Sequence, residues 1–238
     1  MSSRSALVSM GIKVGNISAG NEGFHPATIT TNKQTHKFTY ELDQTTLTFD
    51  PKLYDENSWC PVYKIGKTDK GGDVWLANIT DSISDISEYL PLLDTLYNAG
   101  VNDVIELNIA SPGGYITTAT QICTAIRACQ GTVIGHASGM CASAGSLIWS
   151  VCHEVTIGDG ANFMWHMSSH GDCGNSLRIR NEADYQINYV RDVLLSISLS
   201  RGFITADEVD RICSNPDEAV WITAPMMRDR LAKFEEAA

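Results

Sequence analysis

From residue 74 onward the chain alternates short apolar runs with segments of helical period. Residues 74–79 (VWLANI), 104–109 (VIELNI) and 132–137 (TVIGHA) read as short buried strands. Between them, residues 85–99 place Ile86, Leu90, Leu93, Leu96 and Tyr97 on one stripe and stop at Gly100. A second helix carries Ile116, Ala119, Ile122, Ile126 and Cys129 at spacings of three or four. This alternation predicts right-handed βαβ crossovers and a largely parallel sheet, hence an α/β fold. In the C-terminal third, Ala183, Ile187, Val190, Leu194 and Ile197 form one apolar stripe along a long helix, which Gly202 ends. Such a stripe must be covered by the core or by another subunit, so a homo-oligomer is expected. Thr205 and Glu208 have the spacing of a capping box at the start of a short helix.

The first 70 residues have a different texture. Residues 1–24 are polar and rich in Gly and Ser, as in a loosely ordered end. Segments 28–31, 37–42 and 46–49 alternate apolar with polar residues, with Asp43 and Gln44 as the turn between the last two. Residues 68–73 (TDKGGD) read as a linker. The expected organisation is a β-rich N-terminal extension, 1–70, followed by one α/β domain, 71–238.

Composition narrows the function classes. Lys and Arg number 17 against 28 Asp and Glu, a net charge of -11 that repels phosphate backbones and argues against a nucleic-acid partner. No apolar run is long enough to cross a membrane, and the first 15 residues lack the continuous apolar core of a secretory signal. A cytoplasmic protein is expected. The seven cysteines form no CxxC pair and no cluster with zinc-ligand spacing, so they read as reduced, largely buried thiols with no metal.

Two glycine-containing turns each follow a strand and open a helix. In the first, ASPGGY (110–115), adjacent glycines free backbone N–H groups at a helix N-terminus, where an anion or developing oxyanion can be held. In the second, GMCASAGS (139–146), Ser143 lies among small residues that would let a carbonyl approach its hydroxyl, with the Ala144 N–H beside it. The same serine is equally readable as a helix N-cap. A base is available in His166, at the end of the strand-like segment 162–167; His136 and His170 are the neighbouring histidines.

Taken together, SPGG, the serine turn about thirty residues later, the strand-end histidine and the long amphipathic helix resemble the Clp protease proteolytic subunit (ClpP) family and its phage-type relatives. The likeness runs from about Val74 to Leu231. It implies the ClpP/crotonase-like spiral of βαβ units, with the helix over 177–201 as the handle that joins subunits. It further implies a serine endopeptidase with Ser143 as nucleophile, His166 as base and the N–H groups of Gly114 and Ala144 as oxyanion hole. No cofactor is implied. The implied partners are a peptide or unfolded protein as substrate, further copies in a ring, and an ATP-dependent unfoldase. The sequence departs from the pattern in places. His166 is followed by Met167 and Ser168 instead of Gln-Pro, and residues 230–233 read RLAK instead of Gly-Leu-(Ile/Val)-Asp. Counted from Trp221, the position of the triad acid falls on Ala219. Asp217, carried in by a bulge, is the expected acid; Glu218 or a serine–histidine dyad are the alternatives. Two other functions remain open: a catalytically inactive ClpP-fold assembly protein, and a crotonase-type acyl-CoA enzyme.

Overall fold

The computed structural model describes residues 25–31, 34–40, 60–169 and 175–237. At the N-terminus β1 (His25–Thr31) and β2 (Gln34–Tyr40) pair antiparallel, with Ile29 opposite His36. The expected segment 28–31 thus lies in β1 and residues 37–40 of the next segment in β2, the two meeting at Thr28 and Lys37. The third segment, its turn at Asp43 and Gln44, and residues 1–24 lie outside the described residues.

A seven-stranded sheet comes next, and the chain order of its elements explains its shape. β3 (Val62–Lys67) pairs antiparallel with β4 (Asp73–Ile79). Then α1 (Leu90–Asn98), β5 (Val104–Ser111), α2 (Ile116–Ala128), β6 (Thr132–Ala142) and α3 (Ala144–Val151) alternate, so β4, β5 and β6 lie parallel. β7 (Glu154–Ile157) and β8 (Asn162–His166) share the far side of the long β6. β7 takes residues 134–137 and β8 takes Met140, Cys141 and Ala142. The chain continues through α4 (Ser176–Tyr189), α5 (Ser196–Ser200), α6 (Ala206–Ser214), β9 (Ala219–Thr223) and α7 (Ala224–Ala237), with β9 closing the edge antiparallel to β8. Strand order is β3-β4-β5-β6-β8-β9, with β7 beside β6. β3 hydrogen-bonds into this sheet although it precedes residue 70, where the sequence suggests a boundary.

Ile105, Leu107 and Ile109 of β5 and Ile122 and Ile126 of α2 are fully buried, as are Ile148 and Trp149 of α3. Each such side chain contributes about 1.5–3 kcal/mol on leaving water. Two helices differ from expectation in phase. Residues 86–89 form a 3₁₀ turn, capped by Asp85, whose carboxylate accepts the Ser87 N–H. Its three residues per turn rotate the start of α1, so Tyr89, Leu92 and Leu96 face inward while Leu90 and Tyr97 stand exposed. In the long helix, Val190–Leu194 form a π turn in which the Leu195 N–H donates to Val190 O at 2.9 Å. The extra residue shifts the inward face: Leu194, Leu195 and Ser198 are buried, whereas Ile197 is only half-buried. α4 buries no residue at all, and Leu177 is 74% exposed. The capping box at Thr205 and Glu208 is formed, with the Glu208 carboxylate also gripped by Arg230. Among the described residues no helix is long and apolar enough to cross a membrane.

Candidate active site

β6 passes into α3 with a single residue between them, and that residue is Ser143. It makes the whole reversal, at φ 55° and ψ -121°. Positive φ is costly for a residue with a Cβ, on the order of 1–3 kcal/mol. The turn closes only because its surroundings are small: a Cβ on Gly145 would lie 3.2 Å from Ser111 O, and Ala142 and Ala144 are buried. The Ser143 N–H donates to Met164 O at 2.8 Å, continuing the β6–β8 ladder by one bond. The Ser143 side chain makes no capping bond to α3, so the N-cap role is not the one it takes.

Its hydroxyl instead meets His166. Nε2 lies 2.8 Å from Ser143 Oγ, and both residues are half-buried. Burial holds the imidazole below its ordinary pKa, which favours the neutral ring able to accept a proton. Beneath the pair, Trp149 of α3 packs at 4.6 Å against Phe163 of β8 and at 4.6 Å against Phe203, fixing the helix of the serine to the strand of the histidine. Beside the pair lies an apolar recess walled by Ile116, Leu147, Trp165, Val190, Leu194 and Leu195.

The first glycine turn packs against the second. Gly113 has φ 102°, and a Cβ there would lie 2.6 Å from Ser143 Cβ. Gly114 has φ 150°, and its Cβ would meet Ile83 O at 2.1 Å. Both positions therefore require glycine. Ile83 bridges Gly114 in parallel fashion, its N–H donating to Gly113 O at 2.8 Å and its carbonyl accepting the Tyr115 N–H at 2.7 Å. The Gly113 N–H is taken by Ser111 Oγ at 3.1 Å.

The acid expected beside this pair is not placed there. β9 runs in unbroken register with β8, which sets Ala219 directly opposite His166. The bulge that would carry Asp217 inward is not formed. Asp217 is exposed, and its N–H is held by Asn215 Oδ1 at 3.1 Å in the turn before the strand. Glu218 pairs with Arg211 at 3.2 Å. Among the described residues, no carboxylate is hydrogen-bonded or ion-paired to His166. His136 lies in β6 with Nδ1 2.7 Å from Thr156 Oγ1, and burial pushes its pKa down to about 4; His170 lies outside the described residues. Burial raises the thiols of Cys60 and Cys123 to about 12, as expected of inert cysteines.

A family model for Clp protease matches residues 75–229, well over half of the chain. The chain belongs to the Clp protease family. Among the described residues, the seven-stranded sheet and the seven α-helices form the ClpP-like α/β fold, and the matched span holds both glycine turns, Ser143 and His166. Clp proteases are serine peptidases that form oligomeric rings, so the match favours a peptidase ancestry over the crotonase alternative. No curated protein matches the chain in sequence.

One residue with a structural claim on this site is invisible in the sequence. Ser146 reads as one more small residue of the serine turn, yet its buried hydroxyl lies 2.6 Å from Cys141 O and 2.7 Å from Met164 O.

Proposed function

We propose that this chain is a serine endopeptidase in which Ser143 and His166 act as a dyad. The observation that carries this reading is the 2.8 Å approach of His166 Nε2 to the hydroxyl of a serine held at positive φ. Ser143 attacks the peptide carbonyl while His166 takes its proton at Nε2, then returns it to the leaving amine. The N–H groups of Gly114 and Ala144 receive the oxyanion. In support, a parallel bridge directs the Gly114 N–H away from Ile83, and Ala144 is the first residue of α3, whose N–H has no acceptor within its helix. A water that gives its proton to His166 then attacks the acyl-serine, and Ser143 leaves with that proton, so serine, histidine, backbone amides and water carry every step with no cofactor. The recess is small, so the expected substrate, an extended peptide or unfolded protein, would lay apolar side chains across its walls instead of entering it.

Residues 71–238 carry this activity together with β3, which completes their sheet, and the segment before β3 is an extension. The exposed Leu177, Ile179 and Tyr185 on α4 support a covering second copy, hence a homo-oligomeric ring. An enclosed site of that kind needs unfolded substrate, which an ATP-dependent unfoldase would deliver. The buried free thiols fit a reducing, cytoplasmic setting.

Ala219 opposite His166 favours a second reading, an inactive assembly protein on the same fold. Fluorophosphonate treatment separates the two. The peptidase reading expects a single adduct on Ser143, lost in Ser143→Ala at unchanged fold. An assembled, folded sample that takes no label rules it out.

A further inference from the structure

We propose that Ser146 is a positioning residue whose hydroxyl sets the gap between Ser143 and His166; this rests on the peptidase reading above. The two catalytic residues are held by different strands, β6 and β8, which pair over only three residues: Met140 with Asn162, Cys141 with Phe163 and Ala142 with Met164. Cys141 lies two residues before Ser143, and Met164 lies two before His166. Ser146, fully buried in the first turn of α3, places Oγ within hydrogen-bond reach of both their carbonyls, at 2.6 and 2.7 Å. One hydroxyl proton shared between the two acceptors draws the ends of both strands to the same point.

A buried serine in a helix ordinarily satisfies itself on the carbonyl four residues back. Ser150, one turn later, does this, donating to Ser146 O at 2.6 Å. Ser146 instead reaches out of its helix to the two strands that carry the reacting groups. The Met164 carbonyl it holds is also the acceptor of the Ser143 N–H, so backbone and side chain converge on one atom. Ser146 does not line the apolar recess, so its loss should change the alignment of the pair without changing the walls that bind a peptide.

The test uses the full chain and compares wild type with Ser146→Ala, Ser146→Cys and Ser150→Ala. Three readouts are taken: the rate of fluorophosphonate labelling at Ser143, kcat and KM on an apolar fluorogenic peptide, and Tm. Misplacement of a reacting group by about 1 Å costs on the order of 100-fold. Ser146→Ala should therefore lose about 10- to 100-fold in labelling rate and kcat at nearly constant KM. Ser146→Cys, similar in size with a weaker donor, should lie between it and wild type. Ser150→Ala removes a buried hydroxyl from the same helix and should lower Tm comparably, yet keep its labelling rate within about threefold. If Ser146→Ala does not fold, the cysteine variant decides on the same criterion of a rate loss at constant KM. Wild-type rates in the Ser146 variants, or rate losses that track Tm equally at both serines, overturn the proposal while leaving the peptidase reading intact. A wild type that takes no label at Ser143 overturns both.

Discussion

Ala219→Asp should make this protein faster. Ala219 faces His166 across the β8–β9 ladder, and Cβ atoms directly opposed in an antiparallel pair lie about 4.5–5.5 Å apart. Ala219 is exposed, so an aspartate there needs no new cavity. Its carboxylate would lie about 5 Å from the imidazole. At an effective dielectric of about 20, that charge pair is worth roughly 3 kcal/mol. The interaction exists only once His166 has become an imidazolium, as it does when Ser143 loses its proton, so it lowers the barrier and not merely the ground state. About 3 kcal/mol corresponds to about a hundredfold in rate. His166 is half exposed and solvent screens part of this, so the expected gain is about 10- to 100-fold. The carboxylate favours the charged ring and so raises the His166 pKa, moving the acidic limb of activity to higher pH. The assay is the second-order rate of fluorophosphonate labelling at Ser143 across pH. Ala219→Asn has the same shape without the charge and should stay near wild type. Asp217→Asn and Glu218→Gln, which remove carboxylates that do not reach His166, should stay within about twofold. An Ala219→Asp protein that folds but labels no faster than Ala219→Asn would refute the electrostatic argument. A loss of orders of magnitude in Asp217→Asn would restore Asp217 as the acid.

Three further outcomes rest on the same geometry. Burial depresses the His166 pKa, so the neutral base survives to lower pH; the acidic limb of kcat/KM in the wild type should fall below the ~6.5 of an ordinary histidine. Gly113→Ala meets both a left-handed φ and Ser143 Cβ at 2.6 Å, and should reduce labelling by about 100-fold or more through displacement of the nucleophile, read beside circular dichroism. Arg230→Ala removes two bonds of 2.6 and 2.7 Å from the nearly buried Glu208, a loss of about 2 kcal/mol and roughly 5 °C in Tm by calorimetry. Burial raises the Glu208 pKa, but bonds from Arg230 and Thr205 outweigh it and leave the pKa depressed. The stabilisation is therefore present above the unfolded carboxylate pKa and fades as pH falls, and that acid-side loss should flatten in Arg230→Ala.

The fold was legible wherever a side-chain period had a single interpretation. The apolar runs of β4, β5 and β6, the stripe of α2 and the capping box of α6 each come from spacing alone. β7 was not legible, because Glu154–Ile157 is four residues long and half-buried throughout, with no alternation to read. β9 does alternate, with Val220 and Ile222 inward, but the exposed Trp221 disguises which face is the core. The π turn at Val190–Leu194 leaves no trace in the apolar spacing, since Leu194 and Leu195 are both apolar and either could continue the stripe. Within the site, Ser143 and His166 were recognisable by residue type, whereas their contact depends on the pairing of β6 with β8, a relation between segments 23 residues apart. The placement of Asp217 has the same origin: reaching His166 needs a bulge, and the register of β9 follows Val220 and Ile222 packing inward, not any residue near the turn.

The small residues of the serine turn are weak evidence for catalysis, because a tight strand-to-helix passage would select them in an inert protein as well. The conformation of Ser143 is stronger evidence. A chain that needed only the passage would relieve φ 55° by placing glycine there, as it does at Gly113 and Gly202, which have φ 102° and 73°. Ser143 is the single non-glycine residue at positive φ among the described residues, and its hydroxyl neither caps α3 nor bonds the backbone. It is directed at His166 Nε2. The missing acid does not weigh equally against this. Position 219 lies exposed on an edge strand, where a carboxylate can be exchanged for a methyl group with little effect on the fold. The elbow, by contrast, is held by the core beneath it and carries a conformational cost on the order of 1–3 kcal/mol for as long as the serine remains. The position opposite His166, where exchange is easy, holds alanine, and the turn that is costly to keep holds serine, a pattern that favours the proposed slowed dyad over an abandoned active site.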